Sequence, residues 1–220
     1  KSRRVPISNM KLTLDLDRGR LALSPFNFAM ARGNVASDIV FDTRQRPSAV
    51  KYDFRLAPTP MGRLFAGWGV AESGTTGTIK GRIQLNGRGD SIADSLATSS
   101  GRIAFVMPQG ALWTRNVQLS ELDIGTFVQK MFAGKLKKPV EINCGLVAFT
   151  VRSGIAAADP ILIDTSKNVI LGRGGFSFRT EAIDIAIRAD AKKFSLFSGQ
   201  SPVGIGGYFS APTLNVISPQ

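Results

Sequence analysis

The chain has 220 residues, of which 43% are hydrophobic and 20% charged, enough apolar surface for a sizeable core in one or two domains. It contains no histidine and one cysteine, which removes the commonest general base, the usual nucleophile pairs, most zinc sites and any internal disulfide. A formal net charge of +12 points to polyanionic surroundings: nucleic acid, anionic lipid headgroups or lipopolysaccharide. The basic residues are scattered, with small clusters at 1–4 and 135–138, and neither cluster has the interleaved aromatics of a single-strand binding platform.

Taken in chain order, the dominant signal is alternation with period two. "KLTLDLD" sets Leu12, Leu14 and Leu16 against Lys11, Thr13, Asp15 and Asp17. Strands are predicted next over 20–29 and 36–42. "VKYDFRLA" then sets Val50, Tyr52, Phe54 and Leu56 against Lys51, Asp53 and Arg55. "TPMGRLFAGWG" departs from this period and suits a helix with Met61, Leu64, Phe65 and Trp68 on one stripe. "TIKGRIQLNG" returns to alternation, with Ile79, Ile83 and Leu85 opposite Lys80, Arg82 and Gln84.

A second short helix is predicted in "DSIADSLATSS", with Asp90 as N-cap and Ile92 and Leu96 four apart. A strand over 101–107 carries Ile103 and Phe105. The third helical pattern, "SELDIGTFVQKMFAG", closes on Gly134. Strands follow at 145–152, 161–165 and 175–180, the last with Phe176 and Phe178. "AIDIAIRADA" sets Ile183, Ile185 and Ile187 opposite Asp184 and Arg188, and the chain ends on strands at 203–210 and 213–217. "DRGR", "TRQRPS", "NGRGD", "RSG", "TSKN" and "GRGG" read as turns between these runs. The three helical segments are short and amphipathic, and each could lie against a sheet or plug the end of a groove.

About a dozen such strands make the chain mainly β: a long antiparallel, strongly twisted sheet with one wet and one dry face and a few short helices. A single apolar face cannot stay open to water over its whole area. It must meet a second sheet, close into a barrel, or curl into an apolar groove, and periodicity does not choose among them.

Residues that could carry chemistry are few. Gly87 and Gly89 precede a helix, but Ile92 stands where a dinucleotide fingerprint needs its third glycine, and the preceding strand is amphipathic. "GRGGF" at 172–176 reads as a turn or bulge. Cys144 reads as a small packed side chain within a strand. Carboxylates such as Asp15, Asp17 and Asp184 sit singly on the polar face, and no local pair is placed in an apolar setting for acid–base work. The expectation is a protein that is not an enzyme and uses neither cofactor nor metal.

Several passages together resemble the AsmA family of Gram-negative envelope proteins. "LDRGRLALSPFNFAMARGNVASDIVFD" is similar to its strand, return strand and glycine-led third strand. "RPSAVKYDFRLAPTPMGRLF" is similar to the next strand and short helix. "GTIKGRIQLNGRGDSIADSLATSSGRIAFVMPQGAL" places Gly81, Gly87, Gly89, Ser91, Leu96 and Gly101 at the spacing of a family signature. The closing passage matches the family's usual end on Pro202, Val203, Ile205, Gly207, Phe209 and Pro212. The resemblance covers nearly the whole chain.

This resemblance implies one β-groove domain over 1–220, with sub-units near 1–113 and 140–220 joined by a helical segment near 120–134. It implies a periplasmic location and an inner-membrane anchor missing from this chain, which begins "KSRRVPIS" and reads as an excised segment or processed product. The implied partner is phospholipid or another envelope lipid, with no nucleic acid, and the implied role is phospholipid transport and outer-membrane assembly or homeostasis. The expected groove lining is Leu12, Leu14, Leu16, Tyr52, Phe54, Leu56, Ile79, Ile83, Leu85, Ile103, Phe105, Phe176, Phe178, Ile183, Ile185 and Ile187. Two other readings stay open: a scaffold module that packs its apolar face on a protein partner, and a basic polyanion binder.

Overall fold

The computed structural model describes residues 6–66, 70–113, 139–192 and 202–216. Among these residues thirteen strands form one antiparallel sheet. They are β1 (Ile7–Asp17), β2 (Arg20–Met30), β3 (Gly33–Asp42), β4 (Ala49–Pro60), β5 (Thr78–Arg88), β6 (Ser100–Met107) and β7 (Gly110–Leu112), then β8 (Val140–Arg152), β9 (Ile155–Thr165), β10 (Asn168–Ser177), β11 (Ile183–Ala191), β12 (Val203–Tyr208) and β13 (Ala211–Val216). Spatial order follows chain order except that β6 pairs directly with β8, and the short β7 pairs beside it on β8. The sheet is therefore continuous from the first sub-unit into the second. β1 and β13 are its two open edges, so it does not close into a barrel.

The alternation dictates this arrangement. Each strand has one apolar set, and antiparallel registers place those sets opposite one another, so every pairing continues the same dry face. Tyr52 faces Leu85 and Phe54 faces Ile83 between β4 and β5, and Ile83 in turn faces Ile103 of β6. Ile103 faces Phe149 of β8. Among the described residues no second sheet covers this face. Yet Val50 is 1% exposed, Leu85 3% and Val151 1%. The sheet is twisted and curled enough for its own dry face to shield itself, which makes a trough with the strands running across it.

Two short helices complete the cover. Helix α1 (Met61–Leu64) is shorter than its apolar stripe suggested, and Trp68 of that stripe lies outside the described residues. Its Met61 and Leu64 pack with Val70, Ile79, Met107 and Ile142 in a cluster at one rim of the trough. Helix α2 (Ile92–Ala97) lies at the opposite rim, where Leu96 packs on the main cluster around Val50, Leu85 and Val151. Its N-cap is Ser91 and not Asp90: the Ser91 hydroxyl accepts from the Asp94 N–H at 3.0 Å. Asp90 is occupied elsewhere, accepting from the Ser48 N–H and hydroxyl. The helical pattern around 120–134 lies outside the described residues.

Three further sequence expectations change. Of the two readings of "GRGG", turn or bulge, the turn does not hold: its glycines lie inside β10, where the register with β9 slips between Gly172 and Gly175. The strand predicted over 175–180 ends at Ser177, whose hydroxyl accepts from the N–H groups of Arg179 and Thr180 and so turns the chain. Phe178 is thereby a turn residue. Cys144 is exposed and not packed, because β8 is irregular between Ile142 and Cys144 and the alternation loses its phase there.

Candidate functional site

The candidate site is the apolar face itself. In one row across the trough, Phe28, Val35 and Leu56 lead through Gly81 to Phe105, Val147 and Ile161. The same row crosses Gly172 to Ile187 and Val203. The two glycines are there because a Cβ at Gly81 would run into the Phe105 ring and one at Gly172 into the Ile161 side chain. A parallel row passes from Leu14 through Leu23, Ile39, Tyr52 and Leu85. The apolar lining is thus continuous from β1 to β12, and it carries no ion pair.

The sixteen expected lining residues divide by exposure. Tyr52, Ile79, Leu85, Ile103 and Ile187 are buried inside the folded chain. Phe54, Leu56, Ile83, Phe105, Phe176, Phe178, Ile183 and Ile185 are half-buried on the trough wall. Leu12, Leu14 and Leu16 are exposed, at 51, 59 and 68%. Sequence reasoning missed Leu23, Phe26 and Phe28 of β2, where the register slips between Leu23 and Phe26 and strict alternation breaks. It also missed Phe149 and Val151, whose alternation with Thr150 was the signal available.

Aromatic rings concentrate near the α2 rim. Phe176 meets Phe149 at 5.1 Å between ring centroids, Phe178 at 5.3 Å and Phe209 at 5.6 Å, all edge-on. Tyr52 anchors α2 from below: its hydroxyl and that of Ser95 lie 2.7 Å apart in the buried interior. Gly87 and Gly89 make that approach possible. A Cβ at Gly87 would collide with the Ser95 carbonyl, and one at Gly89 would come within 2.5 Å of the Ser95 nitrogen. The two glycines serve helix–strand contact, not a phosphate.

Within the strands the described charged side chains lie on the wet side of the sheet, and the rims carry others, such as the Arg63–Glu72 pair at α1. Arg82 pairs with Asp53 at 2.9 Å, Arg55 reaches Asp38 and Asp53, and Arg102 pairs with Asp159 at 3.3 Å. The hydrogen bond from Arg82 holds the Asp53 carboxyl below the usual carboxylate range, and that from Lys192 does the same for Asp164. At a turn, the bidentate contact from Arg44 holds Asp42 down to about 2. Among the described residues no cluster of His, Cys, Asp and Glu could hold a metal ion. Among them, too, no helix is long and apolar enough to cross a membrane.

An open antiparallel sheet with one uninterrupted dry face and short helices on its rims defines a class of β-groove protein. The AsmA family profile matches residues 1–160, and the chain belongs to the AsmA family. It is similar to AsmA family protein YhjG of Escherichia coli (strain K12), with 25% identity over 212 residues. That alignment covers 96% of this chain and 30% of YhjG, so the chain spans about a third of that relative's length. No solved structure matches. Family membership supports a role in the cell envelope.

Proposed function

We propose that the trough holds the acyl chains of envelope lipids and that the protein contributes to phospholipid transport and outer-membrane assembly. The observation that carries this reading is the unbroken apolar row from Phe28 to Val203, which crosses strands without meeting a charged side chain. Each acyl CH₂ moved from water to such a lining contributes about 0.8 kcal/mol, so a single chain can be held without polar recognition. Selectivity for headgroup is then weak. The reaction involves no bond making or breaking, no cofactor and no nucleotide. In this reading the protein works on the periplasmic side of the envelope and is anchored to the inner membrane.

The test is native mass spectrometry of the protein purified from bacteria, with extraction and identification of bound lipid. Wild type carries phospholipid in stoichiometric amount, and Phe54→Gln with Ile183→Gln loses it while circular dichroism is unchanged. A lipid-free wild-type protein sinks the proposal. A second reading, a scaffold module that packs on another protein segment, is favoured by one observation: Leu12, Leu14 and Leu16 are exposed together on edge strand β1. In that case Leu14→Gln abolishes assembly and leaves lipid content untouched.

A further inference from the structure

Six connections lie on the α2 side of the sheet: those joining β1 to β2, β3 to β4, β5 through α2 to β6, β8 to β9, β10 to β11, and β12 to β13. They are joined to one another by main-chain hydrogen bonds. Thr43 N–H donates to the Gly19 carbonyl, Gly89 to Ser48, Gly154 to Ser99, Phe178 to Gly154 and Phe209 to Glu181, at 2.8 to 2.9 Å. Six separate turns thus become one continuous ridge. With strands about 4.8 Å apart, it is on the order of 50 Å long.

The side chains on this ridge are of two kinds. Of the described large hydrophobic residues that are exposed, Leu16, Ile92, Ile155, Tyr208 and Phe209 lie here, and the others lie on β1 or, for Val106, on the wet face. On the opposite rim among the described residues there is one, Ile7, at the start of edge strand β1 opposite Met30. Ile92 and Ile155 are each 61% exposed, an unfavourable state for a protein that meets only water. Interleaved with them are Arg20, Arg46, Arg88, Arg152 and Arg179, which have no ion pair among the described residues; the other described arginines without one are Arg32 and Arg173. Of the wet-face arginines, Arg55, Arg82, Arg102 and Arg188 are paired with aspartates and Arg173 is not. The ridge also has carboxylates. Asp42, Asp90 and Asp94 are held by Arg44, Ser48 and Ser91, Asp17 lies beside Arg18, and Glu181 stands alone.

We propose that this ridge docks the protein on the surface of an anionic phospholipid bilayer. Arginine guanidinium groups sit at the level of the headgroup phosphates, where each basic residue attracts an anionic leaflet. Ile92, Ile155 and Phe209 enter the headgroup–acyl boundary, as apolar residues between cations do at membrane interfaces. A nucleic acid would use the cations and leave the two isoleucines in water; a bilayer uses both. Docked in this way, the trough opens along the bilayer surface with its α2 rim lowermost. The proposal concerns adsorption and stands whether or not the trough carries lipid.

The test is co-sedimentation of the 220-residue chain with phosphatidylcholine vesicles, with and without phosphatidylglycerol, at low and high salt. Wild type binds the phosphatidylglycerol vesicles, and the variant R46Q/R88Q/R152Q/R179Q binds them at least about tenfold more weakly. The variant K11Q/K51Q/K80Q/R173Q removes the same charge from the wet face and binds as wild type. Ile92→Ser with Ile155→Ser removes the binding that persists at high salt. Thermal melting confirms that each variant is folded, and native mass spectrometry shows that the rim variants keep any bound lipid. The proposal is overturned if the rim and wet-face variants weaken binding equally, if the rim variant binds vesicles like wild type and instead loses duplex DNA, or if the isoleucine variant retains its high-salt binding.

Discussion

Strands β1 and β5 carry the same sequence pattern and meet opposite fates. Leu12, Leu14 and Leu16 alternate as regularly as Ile79, Ile83 and Leu85, and both sets point to the dry face. Yet Leu85 is 3% exposed and Leu14 59%. The difference lies in position within the sheet. β5 has a strand on each side, α2 at one end and the curl of β3, β8 and β10 over it, since Ile39, Phe149 and Phe176 all join its cluster. β1 has one neighbour and an open edge. Alternation settles which face a side chain joins, while the number and curvature of the neighbours settle how far it is covered.

Aspartate substitutions give that contrast its largest readout. Leu85→Asp buries an unpaired carboxylate in the centre and costs about 3 to 5 kcal/mol, whereas Leu14→Asp shifts stability by about 0.5 kcal/mol. Urea denaturation of both variants checks this, and equal losses would break the comparison. Next is Phe149→Ala, which opens a cavity beside Phe176 and costs about 3 kcal/mol in the same assay. Gly87→Ala forces a methyl against the Ser95 carbonyl and lifts α2 from the sheet, at about 1 to 3 kcal/mol. Faster proteolysis within 90–99 marks that displacement.

The smallest effect is electrostatic and lies on a turn. Asp42 titrates near 2 in the folded protein against 3.8 ordinarily, so its carboxylate adds stability that is fully present above that ordinary value. This contribution disappears as pH falls through the interval down to about 2. Asp42→Asn therefore flattens the acid limb of the stability profile in that window: it lowers stability slightly at neutral pH and converges with wild type as pH falls to about 2. A steeper acid limb in the variant contradicts the assignment.

The fold class was open to reading because period two is a backbone property that survives any tertiary context. Edges of elements were less so. The Ser177 hydroxyl diverts the chain two residues into an expected strand and moves Phe178 into a turn. Asp90 has the right chemistry for a cap but is taken by Ser48, a partner 42 residues away that local pattern cannot reveal. A bulge hid part of the candidate site: the slip at Leu23/Phe26 puts an extra residue into β2 and shifts the phase of its apolar positions. The division of the lining into buried and exposed residues follows from sheet twist, bulges and the number of neighbouring strands, none of which alternation encodes.

The near-perfect agreement between strand order and chain order has a kinetic meaning. Apart from β7 and the connection across 113–139, each strand finds its partner in the strand made just before it, so most loop closures are short and long-range searches few. Such a sheet can be laid down hairpin by hairpin as the polypeptide emerges, each finished strand serving as the template for the next.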